Sequence, residues 1–454
     1  MVKKHIGASI LVLSTVVSIA FPSNAISAVK AGATCPKLNK TQISGNQVFT
    51  CIAKNKKLVW SAGKAATPKQ SSSASSSTSA KYEVSPSSLF QKIDECKIQT
   101  TNPGSTSIGW PRPSDAVPSQ GNIRAVTLLV DFEDLKHNDD ALRVWKTQQI
   151  PAAENFYKKT SYGKMNLKVD LIEKIFHINK SVLSYNLDTA HGAPMKSNAD
   201  VSGLIRDSVL IADPDIDFSK YDYVNVVNPN TTLIGFEGAS GSNVVVDGKQ
   251  ISRATFGPIR EYKDDPLKYN WLVHESGHLL GLMHPYNNGP EGRYGICTIP
   301  AWDLMGHALT TTPEFLVWNK FLLGWVDERN LNCISSSKPT EAIQLISPIS
   351  ENGPGVKGIM VHISDTKVLV VENRRSSEFN EIFNNNGGIV VYTVDGTIPD
   401  SKGAVQYFYS TFSQNLDNLM LSALKPGEFV KVQNIQISVL SSVQAGDYVK
   451  VTLS

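Results

Sequence analysis

The sequence predicts an α+β body followed by a β-rich, sandwich-like C-terminal part, with a small cysteine-bracketed module in front. Three observations lead there. Between residues 122 and 335, apolar positions alternate between runs of period two and runs of period near 3.6, the patterns of strands and amphipathic helices. From about Ile343 the pattern changes to short alternating runs separated by Asn, Gly and Ser clusters. Ahead of both, the run Ser71-Ser72-Ser73-Ala74-Ser75-Ser76-Ser77-Thr78-Ser79-Ala80 has no apolar periodicity and isolates a segment containing Cys35 and Cys51. A length of 454 residues agrees with two or more domains.

At the N-terminus, Lys3 and Lys4 form a basic region, Ile6 to Phe21 an apolar stretch, and Ser23-Asn24-Ala25 a small-x-small cleavage site. Residues 1–25 are therefore expected to be a signal peptide. The apolar run is short for a span of about twenty residues, and no second run of that length follows, so stable membrane insertion is not expected. Gly32-Ala33-Thr34 before Cys35 does not resemble a lipoprotein cleavage box. The expectation is a secreted protein, with cell-surface association through the N-terminal module as an open alternative.

Residues 29–62 alternate with period two and end in Lys56-Lys57-Leu58-Val59-Trp60. The segment is similar to small cysteine-bracketed modules of secreted proteins, and the resemblance implies that Cys35 pairs with Cys51. A loop of that size is stabilised by about 3 kcal/mol when closed by a disulfide. Five cysteines in an exported chain imply one odd thiol; the expectation pairs Cys297 with Cys333 and leaves Cys96 over. Residues 63–84 are a flexible tether, and 85–120, rich in Pro, Ser and Gly, an irregular lead-in that wraps the body.

Within the body, residues 85–335, Val126–Phe132 is a strand, Arg143–Lys159 a helix with Pro151 as a place to kink, and Met165–Phe176 an alternating strand. Asp200–Ala212 is helical, and Tyr221–Val227 and Ser242–Val246 are strands. Asp265 and Pro266 supply an N-cap and a first helical position for a further helix. In the C-terminal part, residues 336–454, the strands are Lys357–Ile363, Lys367–Glu372, Ile389–Val394, Phe429–Val432, Ile435–Leu440 and Tyr448–Leu453. A net charge of +3, with Lys and Arg scattered, excludes a nucleic-acid surface. Nothing calls for an oligomer, and a monomer is expected.

The helix begun at Asp265 carries His274-Glu275-Ser276-Gly277-His278-Leu279-Leu280-Gly281-Leu282-Met283-His284. His274 and His278, four apart, leave one helical face a turn apart, the separation that two ligands of one tetrahedral Zn²⁺ need. Glu275, one residue round, lies beside the metal, where it can take a proton from water as general base. Gly281 can end the helix with a positive φ, letting the chain swing back to present His284 as a third ligand, while Pro285 keeps the helix from resuming. The alternative is a core helix with incidental histidines. It would bury two imidazoles and a carboxylate among Trp271, Leu272, Val273, Leu279 and Leu280, at a cost of several kcal/mol that a metal removes.

About twenty residues after His284, Trp302-Asp303-Leu304-Met305-Gly306-His307 resembles the methionine turn of the metzincin metallopeptidases, in which a methionine floors the zinc ligands. His307 stands where such a turn can place an oxyanion donor, or is a polar turn residue. His177 and His191 lack partner spacing and are expected to be structural or solvated. Cys96 could cap the metal as a thiolate, though a disulfide or free thiol accounts for it more simply. Val126–Asp134, Phe156-Tyr157, Ser161-Tyr162-Gly163-Lys164, Leu323-Gly324-Trp325 and Val371-Glu372-Asn373-Arg374 are similar to stretches of the immune inhibitor A family of secreted peptidases. The resemblance covers roughly residues 122–400 and implies a metzincin-like zinc endopeptidase acting on protein or peptide substrates. That family often carries a calcium-loop-like stretch; here Asp213, Asp215, Asp217 and Asp222 cluster without the loop glycine, so Ca²⁺ and a solvated turn are both open. Two rival functions share the sequence: a zinc hydrolase of non-peptide amides, and an inactive peptidase-like binding or adhesion protein, against which the intact Glu275 argues.

Overall fold

A computed structural model describes residues 31–35, 41–44, 47–54, 57–61, 64–65 and 82–454, except 102–103, 139, 188–197, 230–237, 259–269, 288–301, 307–313, 380–386 and 410–422. The expected signal peptide, Asp265, Pro266, His191, Cys297 and His307 lie outside the described residues. The chain forms two compact units, Met1–Ser79 and Ala80–Ser454.

In the first unit, strand Gln47–Lys54 pairs antiparallel with Thr41–Ser44, Lys57–Trp60 and Lys64–Ala65. Cys35 and Cys51 are joined, their Cα atoms 5.8 Å apart. With Phe49 and Trp60 they form the buried cluster of the described residues here. So small a core gives little stability by burial alone, which is why a staple matters.

The second unit opens on a five-stranded sheet in the order Met165–Ile178, Gly121–Phe132, Tyr223–Asn228, Ala254–Pro258, Gly238–Ser240. The first four strands run parallel and the last is an antiparallel edge. Period two along strand Gly121–Phe132 assigns its faces. Ile123, Ala125 and Leu129 pack toward helices Ile150–Thr160 and Asn270–Leu279, while Val126, Leu128 and Val130 meet helix Val201–Ala212. Asp200 caps the latter helix by accepting from Gly203 N at 2.8 Å. The expected single helix over 143–159 is in fact broken into Ala141–Val144, a π turn Trp145–Gln149, and Ile150–Thr160. Pro151 has no N–H to donate, and the i→i−5 bond from Ile150 N to Trp145 O absorbs the mismatch. The expected strand Ser242–Val246 reduces to a two-residue hairpin arm, Val245–Val246 paired with Lys249–Gln250. The sheet strand is Ala254–Pro258: Gly257 lets the Trp271 ring approach so closely that a Cβ there would sit 2.8 Å from it.

Beyond the sheet, two further sheets stack: Leu331–Ser335, Gly358–Ser364, Lys367–Arg374, Gly388–Asp395 and Val405–Phe408 in one, and Thr340–Ile346, Gly446–Leu453, Ile435–Val443 and Phe429–Val432 in the other. Ile359, Val361, Leu369 and Val371 meet Ile437, Val439, Val449 and Val451 between them. The opposite face of the five-stranded sheet, with Met360, Val368, Val370 and Tyr392, packs on Trp302, Trp318 and Phe321. Core is therefore continuous across residue 335.

The lead-in runs along the rest of the unit: Gln91 N bonds Cys333 O, Ser107 N bonds Gly281 O, and Val117 N bonds Leu279 O. It is fastened by a disulfide between Cys96 and Cys333, both fully buried, with Cα atoms 5.9 Å apart. This corrects the Cys297–Cys333 pairing and the odd thiol at Cys96; the turn Ile93–Cys96 lies against strand Leu331–Ser335, a juxtaposition created only by folding. The bond links residues 237 apart. By the chain-entropy argument such a closure contributes up to about 5.5 kcal/mol. Cys96→Ser/Cys333→Ser should lose about 2–5 kcal/mol in urea unfolding, and a loss below about 0.5 kcal/mol would contradict this role.

Candidate metal centre

The helix Asn270–Leu279 is buried along its whole length, a setting in which titratable side chains need partners. Its end is set by Gly281 at φ +89°. Gly281 N bonds His278 O at 2.9 Å and Leu282 N bonds Gly277 O at 3.1 Å, the paired bonds of a Schellman cap. Arg112 donates to the C-terminal end of the helix at Leu280 O, at 2.7 and 3.1 Å, placing a cation on the negative pole of the helix dipole. The chain then reverses and brings His284 back beside the helix.

His274, His278 and His284 come together so that one ring nitrogen of each lies within 4.8 Å of the others. His278 Nε2 is 3.2 Å from His274 Nε2 and 2.9 Å from His284 Nε2. The outward nitrogens explain the inward ones. His274 Nδ1 faces Leu304 O at 2.8 Å, His278 Nδ1 faces Leu282 O at 2.7 Å, and His284 Nδ1 faces Asp400 Oδ1 at 3.1 Å. Carbonyl and carboxylate oxygens only accept, so each Nδ1 carries the proton and donates. The three Nε2 atoms are therefore lone pairs aimed at one another. Burial, followed by the neighbouring imidazoles of His284 and His274, pushes His278 well below the ordinary imidazole value, which keeps it neutral. Nitrogens bound at 2.0–2.1 Å to a tetrahedral ion stand about 3.3 Å apart, close to the spacing here. The donor set fits a divalent metal, and among the described residues it is the one place where three such ligand atoms gather.

Two further predicted residues arrive at this place. Met305 lies beneath the helix: a Cβ on Gly277 would stand 2.5 Å from Met305 Sδ, so Gly277 is what admits the thioether. The same turn supplies Leu304 O to His274. Glu275 sits on the same helix, its side chain buried with only 6% of the residue exposed. His177 lies elsewhere, bonded to Asp131 at 2.7 Å. The acidic cluster does not converge. Asp215 pairs with Lys174, Asp217 with Lys220 and Ser219, and Asp222 with Arg124 N, the pattern of a solvated turn.

No family model and no curated protein sequence matches the chain. The weakly similar solved structures include the following two. Metalloproteinase-II from Bacteroides fragilis is 14% identical over 51% of this chain and 58% of its own, with a TM-score of 0.26. A catalytically inactive OgpA from Akkermansia muciniphila, in complex with an O-glycopeptide (glycodrosocin) substrate, is 13% identical over 76% of this chain and 96% of its own, with a TM-score of 0.25. The chain thus spans little more than half of the first. TM-scores this low do not define a shared fold, and the chemistry rests on the residues themselves.

Sequence reasoning missed Asp400. Its Oδ1 accepts from His284 N at 3.0 Å and from Ser401 Oγ at 3.0 Å, and its Oδ2 accepts from Thr106 Oγ1 at 3.0 Å. Burial raises its pKa, but the hydrogen bond and charge of His284, with His278 and Thr106, outweigh that and hold it at about 2. Behind the methionine turn, burial pushes Asp303 up to about 7, despite Arg374 and the N–H groups of Met305 and Leu316. Asp303 also accepts from Asn319 Nδ2 at 3.1 Å, tying the turn to helix Val317–Leu322.

Proposed function

We propose that this chain is a secreted zinc-dependent endopeptidase, with His274, His278 and His284 as metal ligands and Glu275 as general base. The observation that supports this reading most is the convergence of three unprotonated Nε2 atoms, each fixed by an acceptor on its Nδ1. Zinc, when bound, supplies a Lewis acid that polarises a peptide carbonyl and makes water more acidic near neutral pH. Glu275, adjacent to a ligand but not one itself, takes the proton of the attacking water on its carboxylate and returns it to the leaving amine. Burial of the helix excludes bulk water and strengthens each of these interactions.

Among zinc peptidases, the stretches from Val126–Asp134 to Val371–Arg374 favour the immune inhibitor A type. An extracellular location is supported by the two disulfides and by the basic, apolar and small-residue order of residues 1–25. No described helix is long and apolar enough to cross a membrane.

The test is zinc content with casein zymography, with and without a chelator. One zinc per chain and casein clearing that is lost on chelation and restored by zinc are expected. Well below one zinc per chain, after refolding with zinc present, would overturn the metal reading. Full zinc with turnover of small amides but not casein would point to a non-peptide amidase, and full zinc with no turnover to an inactive binding protein.

A further inference from the structure

Of the three ligands, His284 is the one the helix does not hold. His274 and His278 ride on a buried helix, and their rings are aimed by main-chain carbonyls within thirty positions of each. His284 lies beyond the Gly281 turn, with 27% of its side chain exposed. What fixes it comes from the β-rich half. The segment 284–287 is bonded to 401–405: Ser401 N bonds His284 O at 3.3 Å, Gly403 N bonds Tyr286 O at 2.9 Å, and Asn287 forms an antiparallel bridge with Lys402. Residue 400 starts this pairing, just past the strand Gly388–Asp395. Its carboxylate receives both the backbone N–H and the ring Nδ1–H of the same histidine. The other oxygen takes Thr106 of the lead-in. One side chain thus joins the ligand segment, the lead-in and the β-rich half.

We infer that Asp400 is the positioning residue of the third metal ligand, and that the β-rich half therefore completes the metal site. The inference rests on the zinc reading above. A carboxylate is a stronger acceptor than the carbonyls serving the other two rings. It fixes the Nδ1–H tautomer, turns Nε2 inward, and makes the imidazole a better donor to a cation. The double acceptance also prevents the ring from swinging away when no ion is there, so the ligand is presented before binding.

The experiment measures zinc affinity of the full-length protein by competition with a chromophoric chelator, for the parent, Asp400→Ala and Asp400→Asn. Urea unfolding of each metal-free protein is run alongside. Asp400→Ala should weaken zinc binding about 10–100-fold, the usual effect of losing a ligand's outer partner. Asp400→Asn keeps an oxygen for the His284 N–H groups but loses the charge, and should fall between. A purely structural role would lower the metal-free unfolding midpoint and leave the zinc affinity of the folded protein unchanged. Parent-like affinity in both variants overturns the inference while leaving the zinc reading intact; a parent that binds no zinc removes both. Should Asp400→Ala not fold, the Asn variant decides by the same measure.

Discussion

Glu275→Ala should keep its fold and its zinc while casein cleavage falls by about 10²–10⁴-fold, the range that a positioned general base contributes. Metal retention is expected because each imidazole of the site has an acceptor of its own on Nδ1. The Nε2 trio is aimed by Leu304 O, Leu282 O and Asp400. Activity is lost because water near zinc then has no adjacent base, and the leaving amine no returning proton. Glu275→Gln is the stricter variant, since it keeps the volume of a buried side chain and removes only the basicity. Elemental analysis and kcat on a peptide substrate decide the matter. Parent-like turnover in either variant would rule out the mechanism, and loss of zinc would make Glu275 a structural support of the site instead.

The convergence of His274, His278 and His284 was legible because covalent spacing dictates it: four residues make one helical turn, and Gly281 makes one reversal. Leu282 O follows from the same reversal, since the capped turn carries that carbonyl under His278. Asp400 was not legible. It lies 116 positions beyond His284, in an Ile-Pro-Asp-Ser turn with no spacing signal, and only the pairing of 284–287 with 401–405 brings it home. The same limit hid the Cys96–Cys333 bond, whose ends are 237 positions apart. Among the strands, Gly121–Phe132 announced itself by its apolar run, whereas Ala254–Pro258 contains Gly and Pro, residues that usually end strands. Its glycine is there for the Trp271 ring, a tertiary reason. Helix Val317–Leu322 was missed because it is short and buried throughout, leaving no polar face to set a period.

Glu372→Ala should cost about 3–5 kcal/mol of stability, the range for removing one member of a buried ion pair. Strand Lys367–Arg374 is buried on both faces from Val368 onward, yet carries Glu372 and Arg374, each fully shielded from water. Each member of the pair makes three hydrogen bonds. Glu372 accepts from Arg374 Nε at 2.6 Å, Val317 N at 2.7 Å and Tyr392 OH at 2.7 Å. Arg374 extends to Glu314 O at 3.3 Å and Phe315 O at 3.1 Å. Removing Glu372 strands a guanidinium in the interior and uncaps helix Val317–Leu322, the helix whose Asn319 steadies Asp303 in the methionine turn. The loss should therefore reach the metal centre as weaker zinc retention, through the turn that offers Leu304 O to His274. Glu372→Ala/Arg374→Met should recover much of the stability, because an apolar replacement of the whole pair is often neutral whereas half a pair is not. Urea unfolding of the two variants separates the cases. A single variant within about 1 kcal/mol of the parent would show that the interior solvates the lone Arg374, and would break the proposed link from the β-rich sheet to the methionine turn.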